Sequence, residues 1–435
     1  MTNIIVKNMT QLSKETVESL HPYVKLTDTD TDSGLENFCY HAVPDVESEM
    51  YKENKDVINR CRGVVYDGKK VVMQAFSYTP EFSSETSDAA RKFCDLGGTG
   101  TTETDDISIS RGMDKCSFFE SHEGILIRMF FHGDKWFVTT HRKLNAFKSR
   151  WGGGDSHGTM FKDALKDQLE MSDFDNAIDA LRVKLDTSRQ YMFLVCNTKT
   201  TRLVCTAPEN PSVYHVGTFV DGVLDTDDDI GLAKPVKLNF KNIDEVYSHV
   251  NAVDPLVSPG VIVFAEGNEQ FKISSSHYIN LFNLRGNQSS LKFRYLEVRS
   301  NNQSNGAFRQ LYPESVADFD TYEQHLNTIT TNIHGAYISR FVKKEFVSVP
   351  PAEYNVIKIA HSWFKADRQN RVVTGRVIYD ILNEQTPPSL NQMIKHILYP
   401  EKVRVFVPPV KIITDIVEPV AGVEVVSEME VETAS

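Results

Sequence analysis

The chain has 435 residues and a formal net charge of −12; 40% of its residues are hydrophobic and 24% are charged. These values are ordinary for a soluble globular protein, and the length allows two or three domains with sizeable cores. The acidic balance disfavours nucleic-acid binding over the whole surface, although a local basic groove stays compatible with it.

No apolar run approaches the roughly 18 residues that a membrane helix needs, and the first residues lack the apolar core of a signal peptide. We therefore expect a cytoplasmic protein, which is neither membrane-bound nor secreted. The six cysteines form no Cys-x-x-Cys pair and have no histidine at zinc spacing. This pattern predicts reduced thiols and no metal site.

The N-terminal part combines a predicted helix, a predicted loop and a predicted hairpin. Residues 13–21 have helical spacing, and an acidic Thr-Asp run follows at 27–33. We interpret this run as a solvated loop rather than a cation site, because it lacks the Gly-then-Glu spacing of a calcium loop. Residues 61–68 (Cys-Arg-Gly-Val-Val-Tyr-Asp-Gly) predict a strand and turn, and residues 71–76 predict the partner strand.

A longer hairpin is predicted over residues 117–148, after an irregular excursion at 83–112 that is rich in Ser, Thr, Asp and Gly. Apolar residues alternate from Ile125 to Phe131, Gly133-Asp134 breaks the pattern, and strand residues resume at Trp136. Helical spacing follows over 161–185, with a break at Ser172-Asp173. Two further strand hairpins are predicted over 191–205 and 257–278.

The order and spacing of these hairpins resemble the covalent nucleotidyltransferases, and most closely the RNA ligase 1 type that repairs phage tRNA. In that family a Lys-x-Asp-Gly turn opens the central hairpin, and its lysine carries AMP or GMP as a phosphoramidate. The resemblance covers roughly residues 50–285. It implies an α+β fold, with a ligase-type nucleotidyltransferase domain of antiparallel sheets and flanking helices over residues 1–285. A helical C-terminal domain over 286–400 and a Val/Pro/Glu-rich arm or disordered tail over 401–435 would follow.

The resemblance also implies which residues occupy the site. Its nucleophile falls on Ser121, its two carboxylates on Leu194 and Pro259, and its second phosphate-binding lysine on Ser274. The nucleotide-binding positions that keep a suitable residue are Arg62, Glu123, Gly124 and Lys272. A serine hydroxyl cannot form the phosphoramidate. We therefore predict no catalytic residues and no cofactor, in a degenerate ligase that serves as a structural or nucleic-acid-binding component, with a large DNA virus particle as its setting.

The alternative is an active ATP-dependent RNA ligase that uses ATP and Mg²⁺ with a relocated nucleophile. Lys115 is the nearest lysine before the motif, nine residues ahead of Gly124 where the family requires three. In an extended chain it would lie about 20 Å from the required place, because each strand residue spans roughly 3.3 Å. This distance disfavours Lys115 as the replacement.

The C-terminal third has helical spacing over 317–342, 353–364, 372–382 and 390–398. Residues 334–376 contain eight basic and three acidic residues, a local charge of +5 with interleaved aromatics. That composition predicts nucleic-acid binding; the alternative is ordinary helices with core aromatics and solvated charges. The candidate nucleic-acid-binding residues are Arg340, Lys343, Lys344, Lys365, Arg368 and Arg371.

The last segment, residues 401–435, is rich in Val, Pro and Glu, which oppose a long helix. We expect an extended arm or a disordered tail, with docking on a partner as the sharper alternative. The expected partners are other proteins of an assembly, contacted through this tail. RNA is a further candidate partner, and no membrane is expected.

Overall fold

The computed structural model describes residues 12–41, 47–74, 76–85, 113–152, 154–171, 176–196, 202–208, 210–265 and 268–402. The chain divides into two compact units between Phe319 and Asp320. Most of the predicted excursion at 83–112 and nearly all of the predicted tail lie outside the described residues. The boundary predicted after residue 285 follows the sequence pattern alone and stays a prediction.

The first sheet contains four antiparallel strands in chain order. Two helices accompany it, and their apolar side chains share one core with those of the sheet. The first helix begins where the Ser13 hydroxyl accepts a hydrogen bond from the Thr16 N–H, which confirms the helix predicted over 13–21. The elements are β1 (Val24–Asp30), β2 (Leu35–Tyr40), β3 (Arg62–Asp67), β4 (Lys70–Met73), α1 (Lys14–Ser19) and α2 (Glu49–Arg60).

The acidic run belongs mostly to strand β1, so its prediction as a solvated loop was wrong. Asp28 accepts a hydrogen bond from the Leu144 N–H over 2.9 Å and pairs with Lys143 over 3.2 Å. Asp30 pairs with Lys135 over 3.3 Å. The threonines are β-branched and alternate with the aspartates at the period of a strand, and both aspartates within β1, Asp28 and Asp30, have cationic partners.

The second sheet has five antiparallel strands in the order β11-β10-β9-β7-β8. Strands β7 and β8 form the predicted central hairpin around Gly133-Asp134, with Phe130 opposite Phe137. Helices α3 and α4 pack on one face of the sheet and confirm the predicted helical segment; its predicted break lies outside the described residues. The elements are β7 (Gly124–His132), β8 (Lys135–Thr139), β9 (Gln190–Cys196), β10 (Val213–Val220), β11 (Val223–Asp225), α3 (His157–Gln168) and α4 (Ala177–Arg182).

The hairpin predicted over 191–205 is wrong in its second strand. Strand β9 pairs with β7 on one side and with β10 on the other. Residues 202–205 are not a strand, and the N–H groups of residues 203–205 donate to the side chain of Glu123. Because a carboxylate accepts these hydrogen bonds, the same N–H groups are not available to a strand ladder.

The third sheet has the order β12-β6-β13-β14-β5, and only its β14–β5 pair is parallel. Strands β13 and β14 confirm the hairpin predicted within 257–278. Strand β6 pairs with β13 here, so residues 117–120 do not belong to the central hairpin. The elements are β5 (Glu81–Ser83), β6 (Ser117–Glu120), β12 (Lys237–Leu238), β13 (Val261–Ala265), β14 (Glu269–Ser274) and the packed helix α5 (Ile243–Ala252).

Helices make up the rest of the described chain. The first unit continues with α6 (Ser276–Arg285), α7 (Leu291–Val298) and α8 (Asn302–Leu311), and α9 (Val316–Tyr337) follows. A π-helical turn, Ile338–Val342, extends α9. The second unit then contains α10 (Pro351–Ala366), α11 (Gly375–Asn383) and α12 (Pro387–Leu398). The four helices predicted between residues 317 and 398 are confirmed.

The architecture is therefore α+β, with antiparallel sheets followed by C-terminal helices, as predicted. Among the described residues, we find no helix with both the length and the apolar character needed to cross a bilayer.

Candidate functional site

Residues 121–123 connect β6 of the third sheet to β7 of the second sheet. Ser121, at the predicted nucleophile position, is 4% exposed. Its N–H donates to the Gly260 carbonyl over 2.9 Å, and its carbonyl accepts from the Ser258 hydroxyl over 3.0 Å. The backbone at this position is thus fixed against the residues that precede β13, and it presents a hydroxyl instead of an amine.

The Glu123 carboxylate is bound by the protein itself. It accepts hydrogen bonds from the N–H groups of Leu203, Val204 and Cys205 over 2.9–3.1 Å. The Tyr278 hydroxyl donates to the same carboxylate over 2.9 Å. Four donors therefore converge on one side chain, which fixes residues 203–205 beside β7. The prediction that Glu123 contacts a nucleotide stays a prediction.

Gly124 and Leu194 lie on neighbouring strands in close approach. A Cβ at Gly124 would be 2.4 Å from the Val195 carbonyl oxygen and 2.9 Å from the Leu194 side chain. A glycine is therefore needed here for the approach of β9. Leu194 lies opposite Leu126 and Tyr214 in the strand ladders, so an apolar side chain occupies the first predicted carboxylate position.

The other two altered positions lie at the ends of β13 and β14. Pro259 is buried directly before β13 and has no carboxylate to offer a metal. Gly260 follows with a φ of +132°, and a Cβ there would be 2.1 Å from the Ile273 carbonyl oxygen. Ser274 is fully buried, and its hydroxyl has no hydrogen-bond partner among the described residues.

Lys272 and Arg62 are connected through the segment that leads to β5. The Lys272 ammonium pairs with Glu81 and lies 4.6 Å from the centre of the Tyr278 ring. Arg62 donates to the Ser77 carbonyl over 3.4 Å, and the Gln270 amide donates to the same oxygen over 3.2 Å. Gln270 and Lys272 are alternate residues of β14, so both predicted cations border the same segment.

Arg128 is a completely buried cation that binds only uncharged acceptors among the described residues. It donates to the Gly63 carbonyl, to the Thr140 carbonyl over 2.6 Å and to the Asn37 side-chain oxygen over 3.3 Å. Burial lowers the pKa of its guanidinium to about 9. Arg128 therefore connects β7 to the first sheet, and sequence patterns did not show this role.

The surroundings of Arg128 are strongly positive. Burial, together with the charges of Arg62, Arg128 and Arg142, lowers the pKa of His141 to about 3. The same three guanidinium groups lie near the buried Cys39 thiol, whose pKa burial raises. Within the described ranges, no carboxylate forms an ion pair with any of these arginines. We call this group, Arg62, Arg128, His141 and Arg142, the arginine cluster.

The structure brings most of the predicted site residues together. The contacts described above connect six of them, and Arg62 adjoins this group through its hydrogen bond to Ser77. The six are Ser121, Glu123, Gly124, Leu194, Pro259 and Lys272. Sequence reasoning missed how tightly residues 202–205 are held: Arg202 is 8% exposed and donates to Glu314 over 2.8 Å and to the Leu311 carbonyl over 3.1 Å. The only signal in the sequence was an arginine beside an apolar pair.

The predicted nucleic-acid-binding residues lie on the second unit, around the π-helical turn and α10. Arg340 lies over the Tyr354 ring at 4.9 Å, and Arg371 lies over the Trp363 ring at 4.9 Å. The His361 ring stacks on Phe341 with a centroid distance of 3.7 Å. In the described part of the chain, no carboxylate pairs with three exposed cations, Lys343, Lys365 and Arg368.

The chain has relatives among known proteins, although no family model matches it. It is 27% identical over 391 residues to an immediate-early protein ICP-46 homolog of Invertebrate iridescent virus 6, covering 84% of this chain and 81% of that protein. A homolog from Invertebrate iridescent virus 3 is 26% identical over 82% of this chain and 78% of its own length. Both of these relatives of the chain are viral proteins.

Solved structures give weaker similarities. An archaeal ATP-dependent RNA ligase (form 2) superposes with a TM-score of 0.36 at 12% identity, over 68% of this chain and 69% of its own. A putative ATP-dependent DNA ligase from Aquifex aeolicus gives a TM-score of 0.36 at 12% identity, over 90% and 99% of the two chains. Superpositions at this level do not decide the family.

Proposed function

We propose that this chain is a viral ligase-like protein that binds a nucleotide through its phosphates and forms no covalent nucleotidyl intermediate. The proposal rests on the residues in and around the connection between the second and third sheets. Ser121 occupies the position at which the ligase family has its lysine, and Leu194 and Pro259 occupy the positions of its two carboxylates. The one remaining acid of the motif, Glu123, is occupied by four internal donors.

A serine at this position lacks the groups that would activate it. Attack on phosphorus by a hydroxyl needs a general base within hydrogen-bond reach. The neighbouring His122 stacks on Tyr214 at 4.6 Å, and its Nε2 atom is buried without a hydrogen-bond partner among the described residues. Burial also lowers the pKa of His122. Ser121 and His122 therefore do not form a catalytic pair, and we infer no catalytic residue and no required cofactor.

Phosphate binding is supported by the arginine cluster. Buried cations that no carboxylate offsets are costly, and an anion beside them recovers part of that cost. Arg62 is half-buried and donates only a long hydrogen bond of 3.4 Å to the Ser77 carbonyl from Nη1, while its buried Nε atom has no partner among the described residues. Guanidinium groups bind phosphate oxygens with paired N–H donors. We assign the phosphates to Arg62, with Arg142 and Lys272 beside it.

We expect labelled nucleotide to be retained by the native protein and lost on denaturation. The full chain would be incubated with Mg²⁺ and α-labelled ATP or GTP, then divided between a native filter assay and a denaturing gel. Arg62→Ala should lower native retention about tenfold or more, since a charged hydrogen bond contributes about 1.5–3 kcal/mol. Arg182→Ala, which removes a half-buried arginine that is paired with Asp179, serves as the control.

The two readouts separate the parts of the proposal. A labelled band that survives denaturation would establish the alternative, an active ATP-dependent RNA ligase with ATP, Mg²⁺ and a relocated nucleophile. Equal native retention by Arg62→Ala and Arg182→Ala would remove the phosphate assignment. Absence of native retention would remove nucleotide binding and leave a structural component.

A second function, binding of single-stranded RNA by the second unit, is favoured by exposed cations that pair with no carboxylate among the described residues. Trp363 and Phe364 are partly exposed in the same segment as Lys365 and Arg368, and the Arg371 guanidinium lies over the Trp363 ring at 4.9 Å. Burial and the neighbouring Lys365, Arg368 and Lys344 charges lower the pKa of His361, which reports a positive local potential. Cations beside aromatic rings suit phosphate contact with base stacking.

Lys365→Ala combined with Arg368→Ala is expected to weaken RNA binding about tenfold at low salt. Removing two phosphate contacts should also reduce the slope of log K against log salt by about 1.4, at about 0.7 per contact. Titration of labelled single-stranded RNA at several salt concentrations measures both quantities. Arg376→Ala is the control, because Arg376 is exposed but paired with Asp380. An unchanged slope in the double variant would exclude this surface.

We further propose that the protein acts in the cytoplasm or in the virion, with other proteins of a viral assembly as partners. The support is the viral origin of its relatives. We assign the assembly contacts to the tail at 401–435, whose Val/Pro/Glu composition suits an interaction segment.

A further inference from the structure

The second unit contains a groove between α9, α10 and α12. Its volume is about 530 Å³, which is within the range of sites that bind small molecules. Glu353 is the acid in its lining, and only 8% of this residue is exposed. Six of the ten lining residues are aliphatic or proline, namely Ile329, Ile333, Val349, Pro350, Ile397 and Pro400. The groove is therefore an apolar cavity that contains one buried acid.

The Glu353 carboxylate lacks the backbone partner that an acid at its place in a helix often has. Glu353 is the third residue of α10, where a glutamate can accept a hydrogen bond from the N–H of the residue before the helix. That residue is Pro350, which has no N–H. One carboxylate oxygen is instead hydrogen-bonded to His396 Nδ1 over 2.7 Å, and the other, Oε2, is buried without a hydrogen-bond partner among the described residues. A buried polar atom without a partner is unfavourable, and more so when it belongs to a charged group.

No lysine or arginine among the described residues balances the charge of Glu353, whose ion-pair partner is His396. At about pH 8 histidine side chains are ordinarily neutral, so the pair then carries a negative charge. Glu353 also lies in the first turn of α10, where the positive end of the helix dipole favours a negative charge. Because charges in an apolar site are poorly screened, this carboxylate attracts a positive charge into the groove.

We propose that the groove binds a small organic cation whose apolar body carries one primary amine. Burial of apolar surface against Ile329 and Ile333 provides the attraction for the body. The ammonium group supplies the positive charge and the N–H donors that Glu353 lacks. The same carboxylate disfavours anions, which separates this site from the arginine cluster and makes the inference independent of nucleotide binding.

Three probes with the same apolar body and different charges test the proposal: phenylbutylamine, phenylbutanol and phenylbutyrate. Each would be titrated into the full chain at about pH 8, and binding would be measured by ligand-observed NMR. The amine is expected to bind about tenfold more tightly than the alcohol, because hydrogen bonds to charged groups are stronger than neutral ones. Phenylbutyrate should bind most weakly. Glu353→Gln, which keeps the size of the side chain and removes its charge, should make the amine and the alcohol bind equally.

A second pair of variants tests the position of the site. Asn332→Trp places a bulky ring at the exposed edge of the groove and should weaken the binding of all three probes. Thr331→Trp is the matched control, because Thr331 is the preceding exposed residue and does not line the groove. Equal affinity of the amine and the alcohol for the unmodified chain would overturn the proposal, as would a preference for the amine that persists in Glu353→Gln. Failure of all three probes to bind, or equal binding of the amine by the two tryptophan variants, would also overturn it.

Discussion

Replacing Glu123 with alanine is expected to destabilise the protein by about 3–5 kcal/mol, because three backbone N–H groups and a tyrosine hydroxyl lose one shared acceptor. Hydrogen bonds to a charged group contribute about 1.5–3 kcal/mol each, and water replaces part of them once the side chain is removed. Urea unfolding of the purified variant and the unmodified protein, followed by circular dichroism, measures the difference.

Two conservative variants separate the carboxylate from its surroundings. Tyr278→Phe removes one of the four donors and should cost about 1 kcal/mol. Glu123→Gln keeps one acceptor oxygen and should fall between the two. If Glu123→Ala cost no more than Tyr278→Phe, the carboxylate would not be what holds residues 203–205 in place.

The expected loss of stability in Glu123→Ala follows from the way in which residues 202–205 are held. The segment that Glu123 holds is also fixed from its other side, because the Tyr312 hydroxyl donates to the Leu203 carbonyl and Arg202 pairs with Glu314. An acid at the position where the resemblance implies nucleotide chemistry thus stabilises a junction of the first unit. Glu123 therefore has a structural role that does not depend on a reaction taking place nearby.

The elements that could be predicted from the sequence are those whose periodicity is local. The alternation between Ile125 and Phe131, and the Gly133-Asp134 break, specify β7 and β8 without information from elsewhere in the chain. The helical spacing of the second unit likewise specifies α9 to α12. In both cases one face of the element is buried, so the pattern reports the burial directly.

Strand partners could not be predicted because pairing joins distant residues. Residues 117–120 look continuous with β7, yet they pair with β13 more than 130 positions later. Strand β9 pairs with β7 and β10 and not with residues 202–205, whose N–H groups donate to Glu123. The Thr-Asp run was interpreted as a solvated loop, whereas most of it is a strand whose aspartates pair with Lys135 and Lys143, more than 100 positions later.

The contacts of the candidate site could not be predicted from the sequence. The resemblance to the ligase family implies that Ser121, Leu194 and Pro259 stand at the positions of the missing amine and acids, and this stays a prediction. The contact between Arg128 and Gly63 joins residues 65 positions apart, and that between Glu123 and Leu203 joins residues 80 apart. No local pattern reports such contacts, so a buried arginine in an alternating strand looks the same as an exposed one.

Gly260→Ala is expected to destabilise the protein by about 3–5 kcal/mol, for two physical reasons that act together. The φ of Gly260 is +132°, a conformation that residues with a Cβ rarely adopt, and the added Cβ would lie 2.1 Å from the Ile273 carbonyl oxygen. Relief requires β13 and β14 to separate, which would also pull the Gly260 carbonyl away from the Ser121 N–H. Urea unfolding measures the loss.

Gly34→Ala is the matched control for Gly260→Ala. Gly34 has a φ of +72°, but a Cβ there would meet no atom within 4 Å. Only the backbone strain applies, so the cost should be about 1 kcal/mol. The difference between the two variants therefore isolates the close approach of β13 to β14. If Gly260→Ala destabilised the protein no more than Gly34→Ala, β13 and β14 would not be held in close approach at Gly260. The connection at Ser121 would then be less rigid than its hydrogen bonds indicate.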